Sequence, residues 1–304
     1  MSVDRNIPII PTALTHAGVF HADDVFSAAI LKMLSPDIQI LRSNTVPDGY
    51  DGIVFDMGGG QFDHHSGEKK VRDNNAPYAS FGLIWKEYGR FFLEDTEDYK
   101  MFDATFIEPI DLSDNNGEPN LLSSVISDFN PIVLTPESAN THFEQAIDFA
   151  ITVLENRFEH IRYERKCVNE VLSVYEKQKG PIVILEKYIP WRKALIPTEA
   201  QFVIYPGARG GYNLQVVPVS EEDVTAKKDL PQAWWGKSGE ELEQASGIKG
   251  LSFCHKNGFL CAADSLDVAK STADAVVVSN QKGFIIRVVE KIKARFKHFY
   301  GKNK

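Results

Sequence analysis

The stretch Ile53–Ser66, IVFDMGGGQFDHHS, constrains this chain more than any other. A short apolar run ends at Asp56, three glycines follow, and Asp63, His64 and His65 then stand side by side. The pattern combines a strand that delivers a carboxylate to its C-terminal end, a glycine loop that permits close backbone approach, and adjacent imidazoles. It predicts a metal site with an anionic ligand nearby.

Length, composition and charge limit the class of protein. The chain has 304 residues, which suits two domains of about 100–150 residues each. Its 43% hydrophobic and 25% charged residues are typical of a globular protein and exclude disordered and fibrous classes. A net charge of −9 argues against general binding of duplex DNA, which depends on many Lys and Arg contacts to phosphates. A short oligonucleotide held by metals and a local basic pocket remains compatible with that charge.

The expected compartment follows from the cysteines and from the apolar runs. The three cysteines form no CxxC pair, which favours a reducing environment. The N-terminal residues do not have the pattern of a secretory signal. No apolar run approaches the roughly 20 residues that span a membrane. We therefore expect a cytoplasmic protein with no membrane partner, and the sequence does not predict its oligomeric state.

The first half of the chain has the pattern of an α/β domain. Apolar residues in HADDVFSAAILKML recur at helical spacing, whereas Ile38–Arg42 and Ile53–Asp56 have strand patterns. The later segment PYASFGLIWKEYGRFFL predicts a helix with one aromatic face that packs in a core. Ligands of α/β sheets bind at the carboxyl ends of the strands, which is where Asp56 falls.

A long helix is predicted to close the first domain. Thr135–Pro136 is a favourable helix start, and helical spacing continues until Gly180–Pro181. We place the boundary there, with a metal-binding domain at 1–178 and a substrate-binding domain at 179–304. The second half contains strand-like runs separated by Gly and Pro turns, then a helix over residues 265–278. The basic tail, residues 283–304, predicts either a contact with RNA or a solvated basic face.

Several candidate metal ligands lie at strand ends or loop starts in the first half. Carboxylates at a helix start can act as caps, and Asp and Asn cluster in turns, so each of these acids also has a structural explanation. Imidazole and carboxylate ligands without thiolate suit Mn²⁺ or Mg²⁺ better than structural zinc, and the set is large enough for two ions that together assist phosphoryl transfer. The candidates are His16, His21, Asp23, Asp24, Asp56, Asp63, His64, His65, Asp111 and Asp114.

Four ordered motifs carry a resemblance to a known family. THAGVFHADDVFSAAIL, FDMGGGQFDHHS, IDLSDNNG and FCHKNGF resemble the Myg family of the Asp-His-His (DHH) phosphoesterase superfamily. That superfamily includes RecJ-type exonucleases, oligoribonucleases and manganese-dependent family II inorganic pyrophosphatases. The resemblance implies a two-domain α/β fold with a parallel-sheet N-terminal domain and a smaller α/β C-terminal domain. It also implies a hydrolase that uses one or two divalent ions, Mn²⁺ or Mg²⁺.

The same resemblance implies roles for individual residues of the first half. His65 faces the scissile phosphate and Asp63 orients a histidine, while Asp114 is a ligand with Asp111 as alternate or supporting carboxylate. The first motif departs from the superfamily pattern, because His21 stands where a carboxylate is usual. The implied metal ligands are His16, His21, Asp23, Asp56, His64, Asp111 and Asp114.

In the second half, the resemblance implies contacts to the phosphates of the substrate. Arg209, Gly210 and Gly211 form a glycine loop in which an arginine is suited to bidentate phosphate binding. His255 and Lys256 are the other candidates. A hairpin turn with an exposed arginine is the structural alternative for the glycine loop.

The resulting hypothesis is a metal-dependent phosphoesterase, specifically a 3′–5′ exonuclease of RNA or short oligonucleotides that uses two-metal catalysis. His65, Asp63 and Arg209 are the proposed catalytic residues. One alternative is a small-phosphate hydrolase such as a pyrophosphatase or nucleotide phosphatase. The other is a metal-stabilised RNA-binding scaffold with weak or no turnover, because the fold can outlive the activity.

Overall fold

A computed structural model describes residues 11–65 and 69–278 of the chain. The chain divides into two compact units, Met1–Arg162 and Tyr163–Lys304. Both units contain helices and one β-sheet, so the chain is a mixed α/β protein.

The sheet of the first unit is parallel, as predicted. Strand β1 (Thr12–His16) lies at its centre, with β2 (Gln39–Ser43) on one side and β3 (Ile53–Val54) on the other. Both pairings are parallel, so the carboxyl ends of the three strands meet at one edge. His16 ends β1, and Asp56 follows β3 by two residues.

Among the described residues, five α-helices lie within the first unit and a sixth begins in it and continues into the second. The π-helical turn Asp103–Ile107 joins α3 (Thr96–Phe102) directly to α4 (Glu108–Asn116), so Asp111 and Asp114 lie on a helix and the turn interpretation of this segment was wrong. The helices are α1 (Ala22–Leu34), α2 (Ser80–Tyr88), α3 (Thr96–Phe102), α4 (Glu108–Asn116), α5 (Leu121–Ser127) and α6 (Pro136–Gln178), with a 3-10 turn at Gly89–Phe91.

Aromatic side chains fill the core of the first unit. Phe26 of α1 stacks on Phe81 of α2, with 5.2 Å between the ring centroids. Trp85 contacts Phe102 and stacks on Phe158 of α6. The predicted aromatic face of α2 is therefore part of the core, and it holds α1 and α2 together behind the sheet edge.

Helix α6 has the start and the length that the sequence predicts. The Thr135 hydroxyl accepts a hydrogen bond from the Ser138 amide at 3.1 Å, and the helix then runs for 43 residues. Phe158 is buried in the core of the first unit, whereas Val171 is buried in a cluster of the second. The two compact units thus divide inside this helix, after Arg162. The predicted domain boundary at residue 178 coincides with the end of the helix and remains a prediction.

The second unit contains a five-stranded mixed sheet in the order β4-β5-β6-β8-β7. Only β4 and β5 pair in parallel, and the other neighbours are antiparallel. The strands are β4 (Ile182–Ile184), β5 (Phe202–Pro206), β6 (Tyr212–Val216), β7 (Leu251–Cys254) and β8 (Leu260–Ala263). The helices are α7 (Arg192–Leu195), α8 (Gly239–Ser246), a 3-10 turn at Gln232–Trp234, and α9 at residues 266–278.

Two expectations concern features beyond these elements. The basic tail at residues 283–304 lies outside the described residues. Within 11–65 and 69–278, no helix is both long enough and apolar enough to cross a bilayer.

Candidate metal centre

Three overlapping groups of imidazole and carboxylate side chains lie at the carboxyl edge of the parallel sheet. Strand ends place His16 and Asp56, the first turn of α1 places Asp23 and Asp24, and α4 places Asp114. The groups are His16 with Asp24 and Asp56, then Asp56 with His64 and His65, and finally His21 with Asp23 and Asp114. In each group the possible ligand atoms lie within 4.8 Å of one another, as a shared metal ion requires.

His16 joins two carboxylates from different elements. Its Nε2 atom lies 3.1 Å from Asp24 Oδ2 and 3.2 Å from Asp56 Oδ2. Both carboxylates are buried, while a quarter of the His16 side chain is exposed. The group therefore has one open side, so an ion held there would remain accessible from solvent.

His64 lies against three carboxylates. Its Nε2 atom is 3.1 Å from Asp56 Oδ1, 3.2 Å from Asp114 Oδ2 and 3.7 Å from Asp23 Oδ2. Asp56 thus contacts His16 through one oxygen and His64 through the other. Asp56 therefore would be able to contribute an oxygen to an ion beside either histidine.

His21 and His65 lie at the exposed rim of the site. Their side chains are 58% and 59% exposed, and each has one ring nitrogen facing the acids. His21 Nδ1 is 3.8 Å from Asp114 Oδ1, and His65 Nδ1 is 3.6 Å from Asp56 Oδ1. The imidazole at position 21 therefore occupies the site although it replaces the usual carboxylate.

Several buried polar atoms of these groups lack hydrogen-bond partners, and a bound metal ion would satisfy them. Within the described residues, five such atoms have no hydrogen-bond partner despite their short separations: Asp23 Oδ1 and Oδ2, Asp24 Oδ2, Asp56 Oδ1 and His64 Nε2. Buried carboxylates without partners are costly, and coordination to a cation removes that cost. The donor set of oxygen and imidazole nitrogen suits Mn²⁺ or Mg²⁺.

The electrostatics reflect this accumulation of acids. Burial, followed by the nearby charges of Asp56 and Asp114, raises the pKa of Asp23 well above its usual value. Asp24 and Asp56 raise the pKa of His16 to about 10. Burial opposes ionisation of Asp56, but the neighbouring His16 and His64 lower its pKa to about 2. The site therefore attracts positive charge, whether as protons or as metal ions.

The glycine loop at Gly58–Gly60 positions the Asp63 carboxylate through a backbone hydrogen bond. Gly58 and Gly59 have φ angles of 81° and 71°, a region that side chains rarely adopt. The Gly59 amide donates to Asp63 Oδ2 at 2.6 Å, and Asp63 Oδ1 accepts from the His65 amide at 2.8 Å. His65 Nδ1 also lies 3.1 Å from that oxygen. Asp63 thus holds the loop and orients His65, and it lies outside the three ligand groups.

Asp56 adopts a strained backbone conformation. Its φ angle is 56°, which is uncommon for a residue with a side chain. Such strain persists only where the surrounding structure requires it, and it often marks a functional position. Here it turns the chain immediately after β3, where the carboxylate reaches both histidines.

Asp111 does not join the groups formed by the described residues. Its side chain is buried and accepts hydrogen bonds from Arg72 at 2.7 Å and from the Gly82 amide at 3.1 Å. Burial raises the pKa of Asp111 to about 7 against the opposing effect of Arg72. Asp114, three residues later, faces His21 and His64. The structure thus places Asp114 among the possible ligands and Asp111 behind them.

The structure separates the two parts of the predicted phosphate site in the second unit. Arg209, Gly210 and Gly211 lie in the turn before β6, next to the end of β8, because Tyr212 pairs with Ala263. His255 and Lys256 lie in the turn before β8, near the end of β6. These two turns are at opposite ends of the same pair of strands, so they do not form one contact site within this unit.

Two residues near the site are absent from the ligand set that the resemblance implies. Asp24 was a candidate from its position beside Asp23 at the start of α1, and the structure places it in the His16 group. Asn115 was not a candidate; its Oδ1 atom lies 3.4 Å from Nδ1 of His64, and no sequence pattern distinguishes it from the neighbouring Asn116.

The fold and the site define an α/β protein that presents a cluster of possible ligands for divalent cations. The family model MYG1_exonuc, described as "Uncharacterised protein family (UPF0160)", matches residues 12–277, and the chain belongs to this family.

Named relatives span several lineages. The chain is 28% identical to the "MYG1 protein" of Dictyostelium discoideum, over 82% of this chain and 91% of the relative. It is also 28% identical to the human "MYG1 exonuclease", over 88% and 86% respectively. A Chlamydia muridarum "MYG1 protein" is 26% identical over 89% and 97%. No solved structure matches significantly.

Proposed function

We propose that this protein is a metal-dependent nuclease of the Asp-His-His type, specifically a 3′–5′ exonuclease of RNA or short oligonucleotides. The observation that carries the proposal is the convergence of unpartnered buried ligand atoms around Asp56. The human, rat and mouse relatives carry the name "MYG1 exonuclease", which supports a nuclease activity for this chain.

The proposed ligands fall on both sides of Asp56. His16 and Asp24 belong to one side, while His64, Asp23 and Asp114 belong to the other. His21 lies at the rim beside Asp114. Bound divalent ions supply positive charge that stabilises the attacking and leaving oxygens of a phosphoryl transfer.

The chain's own side chains have distinct tasks in this proposal. Asp63 holds His65 so that the exposed imidazole is available to a phosphate oxygen that approaches the rim. In the second unit, Arg209 with Gly210 and Gly211, and separately His255 with Lys256, are proposed contacts to other phosphates of the substrate. The proposed cofactor is Mn²⁺ or Mg²⁺, the partner is a short RNA, and the proposed location is the cytoplasm.

A hydrolysis assay tests this function directly. The purified protein is incubated with a 5′-labelled oligoribonucleotide and Mn²⁺ or Mg²⁺, and the products are resolved by length. We expect progressive shortening from the 3′ end, which EDTA abolishes. Asp56→Asn and His64→Ala should lower the rate by at least about 100-fold, because both remove a metal contact. Asp48→Asn, an equal change in charge in an exposed loop, serves as the control.

Other outcomes favour the other interpretations. Release of phosphate from pyrophosphate without shortening of RNA would indicate a small-phosphate hydrolase. RNA binding with no product in a single-turnover experiment would indicate a scaffold. Equal hydrolysis by the wild type, Asp56→Asn and His64→Ala would contradict catalysis at this site.

A further inference from the structure

Both polar atoms of the Asn115 side chain, on α4, have hydrogen-bond partners. Its Nδ2 amide donates to the carbonyl oxygens of Asp111 at 3.0 Å and Tyr78 at 3.2 Å. These two acceptors use both hydrogens of the amide group. The Oδ1 atom is the remaining polar atom of the side chain, and it lies 3.4 Å from Nδ1 of His64.

This arrangement favours a hydrogen on Nδ1 of His64 when a cation is held on the Nε2 side of the ring. An amide oxygen can only accept, so Nδ1 must be the donor. In a neutral imidazole the other nitrogen, Nε2, then has its lone pair free. That atom lies 3.1 Å from Asp56 Oδ1 and 3.2 Å from Asp114 Oδ2, on the side of the ligand groups.

We propose that Asn115 is a positioning residue that holds His64 in the tautomer whose Nε2 binds a divalent cation. The proposal rests on the metal centre of the proposed function, and it assigns a role to a residue outside the ligand set. Metal-binding histidines commonly donate their second N–H to a supporting group that fixes the ring orientation and the tautomer. Here that group is a neutral amide.

The surroundings of Asn115 explain why its position is rigid. Asp111, whose carbonyl accepts from Asn115, is itself tied to Arg72 and to the Gly82 amide. Arg72 also forms two hydrogen bonds with Asp103, at 2.8 and 2.9 Å. The amide is therefore anchored to a buried network, and a neutral acceptor adds no further negative charge beside Asp56 and Asp114.

The tautomer is measured by NMR on protein labelled with ¹⁵N-histidine and saturated with Mg²⁺, which is diamagnetic and occupies the Nε2 side of the ring in the proposed centre. The nitrogen shifts and the long-range couplings to the ring protons show which nitrogen is protonated. We expect the Nδ1–H form in the wild type. Asn115→Leu, of similar size but without polar atoms, should give a mixture of forms.

Metal affinity provides the second measurement, by calorimetric titration with Mn²⁺. Asn115→Leu should bind about 10- to 100-fold more weakly, as is usual when such a supporting partner is lost. The matched control is Asn116→Leu, because Asn116 is exposed on the same helix and its side chain donates a hydrogen bond to Glu118, away from His64. Circular dichroism checks that each variant is folded.

Three results would overturn the proposal. The wild type could show the Nε2–H form, Asn115→Leu could leave the tautomer unchanged, or Asn115→Leu could bind Mn²⁺ as tightly as the wild type does. The wild-type spectrum decides the first even if Asn115→Leu does not fold. A protein that shows the expected tautomers and affinities but does not hydrolyse RNA contradicts the proposed nuclease function and leaves this role of Asn115 supported.

Discussion

Acidic residues that are adjacent in the sequence contact different partners in the metal centre. Asp23 and Asp24 are adjacent in the first turn of α1, yet Asp24 faces His16 whereas Asp23 faces His64. Consecutive residues of a helix point about 100° apart, so a pair at a helix start can serve two sides of one site. Both carboxylates are fully buried, which a simple helix cap does not require.

Replacement of Asp24 by Asn tests its assignment as a ligand. Asn keeps an oxygen for the His21 amide, which Asp24 Oδ1 accepts at 3.0 Å, but it removes the charge beside His16. We expect the affinity for Mn²⁺ to fall by at least about tenfold in a calorimetric titration. Asp37→Asn, an exposed position just after α1, should bind as the wild type does. Equal affinity in both variants would remove Asp24 from the site.

Asp111 and Asp114 also have separable roles, and two alanine variants distinguish them. Asp111→Ala removes a buried partner of Arg72, so the free energy of unfolding should fall by roughly 3 kcal/mol. Asp114→Ala should instead weaken Mn²⁺ binding and leave the metal-free protein close to wild-type stability. Denaturant titrations and calorimetry measure the two effects. Loss of metal binding at full stability in Asp111→Ala would make Asp111 a ligand.

At the scale of elements, the packing of α2 against α4 positions the acids of α4. Gly82 of α2 lies so close to this helix that a Cβ atom would overlap the Asp111 carboxylate and approach Arg72 within 2.8 Å. The absence of a side chain allows the Gly82 amide to bond Asp111 directly. The two helices thus share one buried polar network behind the metal centre.

Gly82→Ala should therefore be destabilising, although alanine is the better helix former. Overpacking of this kind costs about 1–3 kcal/mol, which exceeds the gain of about 1 kcal/mol in helix propensity. Thermal or denaturant unfolding measures the balance. Gly180→Ala is the control, because a Cβ atom at Gly180 would meet no described atom within 4 Å and the φ angle of this residue is not positive. A Gly82→Ala protein as stable as the wild type would show that Asp111 and Arg72 can shift to accommodate the added methyl group without loss of stability.

At the scale of the whole molecule, α6 belongs to two cores. Its first part buries Phe143 and Phe158 among the aromatics of the first unit. Its last part buries Val171 beside Val183 and Leu185 of the second unit. A continuous helical pattern therefore does not mark where one compact unit ends and the other begins.

Two truncated chains separate the possible boundaries. The fragment 1–162 contains all the ligand groups and leaves no part of the second cluster exposed. We expect it to unfold cooperatively and to bind Mn²⁺. The fragment 1–178 also carries Val171 without its partners and should aggregate more readily. Size-exclusion chromatography and calorimetry compare them. A folded 1–178 beside an unfolded 1–162 would support the boundary at residue 178.

The sequence by itself determined the chemistry of the site and most of the elements that carry it. The short parallel strands, the amphipathic helices and the start of α6 follow from local periodicity and capping, which act over a few residues. The motif from Asp56 to His65 was also evident, because its glycines and imidazoles are hard to explain by packing.

Only the tertiary structure decided which acids converge. Asp24 rather than Asp111 meets the histidines, because the phase of α4 depends on a π-helical turn and on pairing with Arg72 from a distant loop. The separation of Arg209 from His255 likewise depends on strand register. Such contacts join residues far apart in the chain, and local sequence patterns carry no information about their register or orientation.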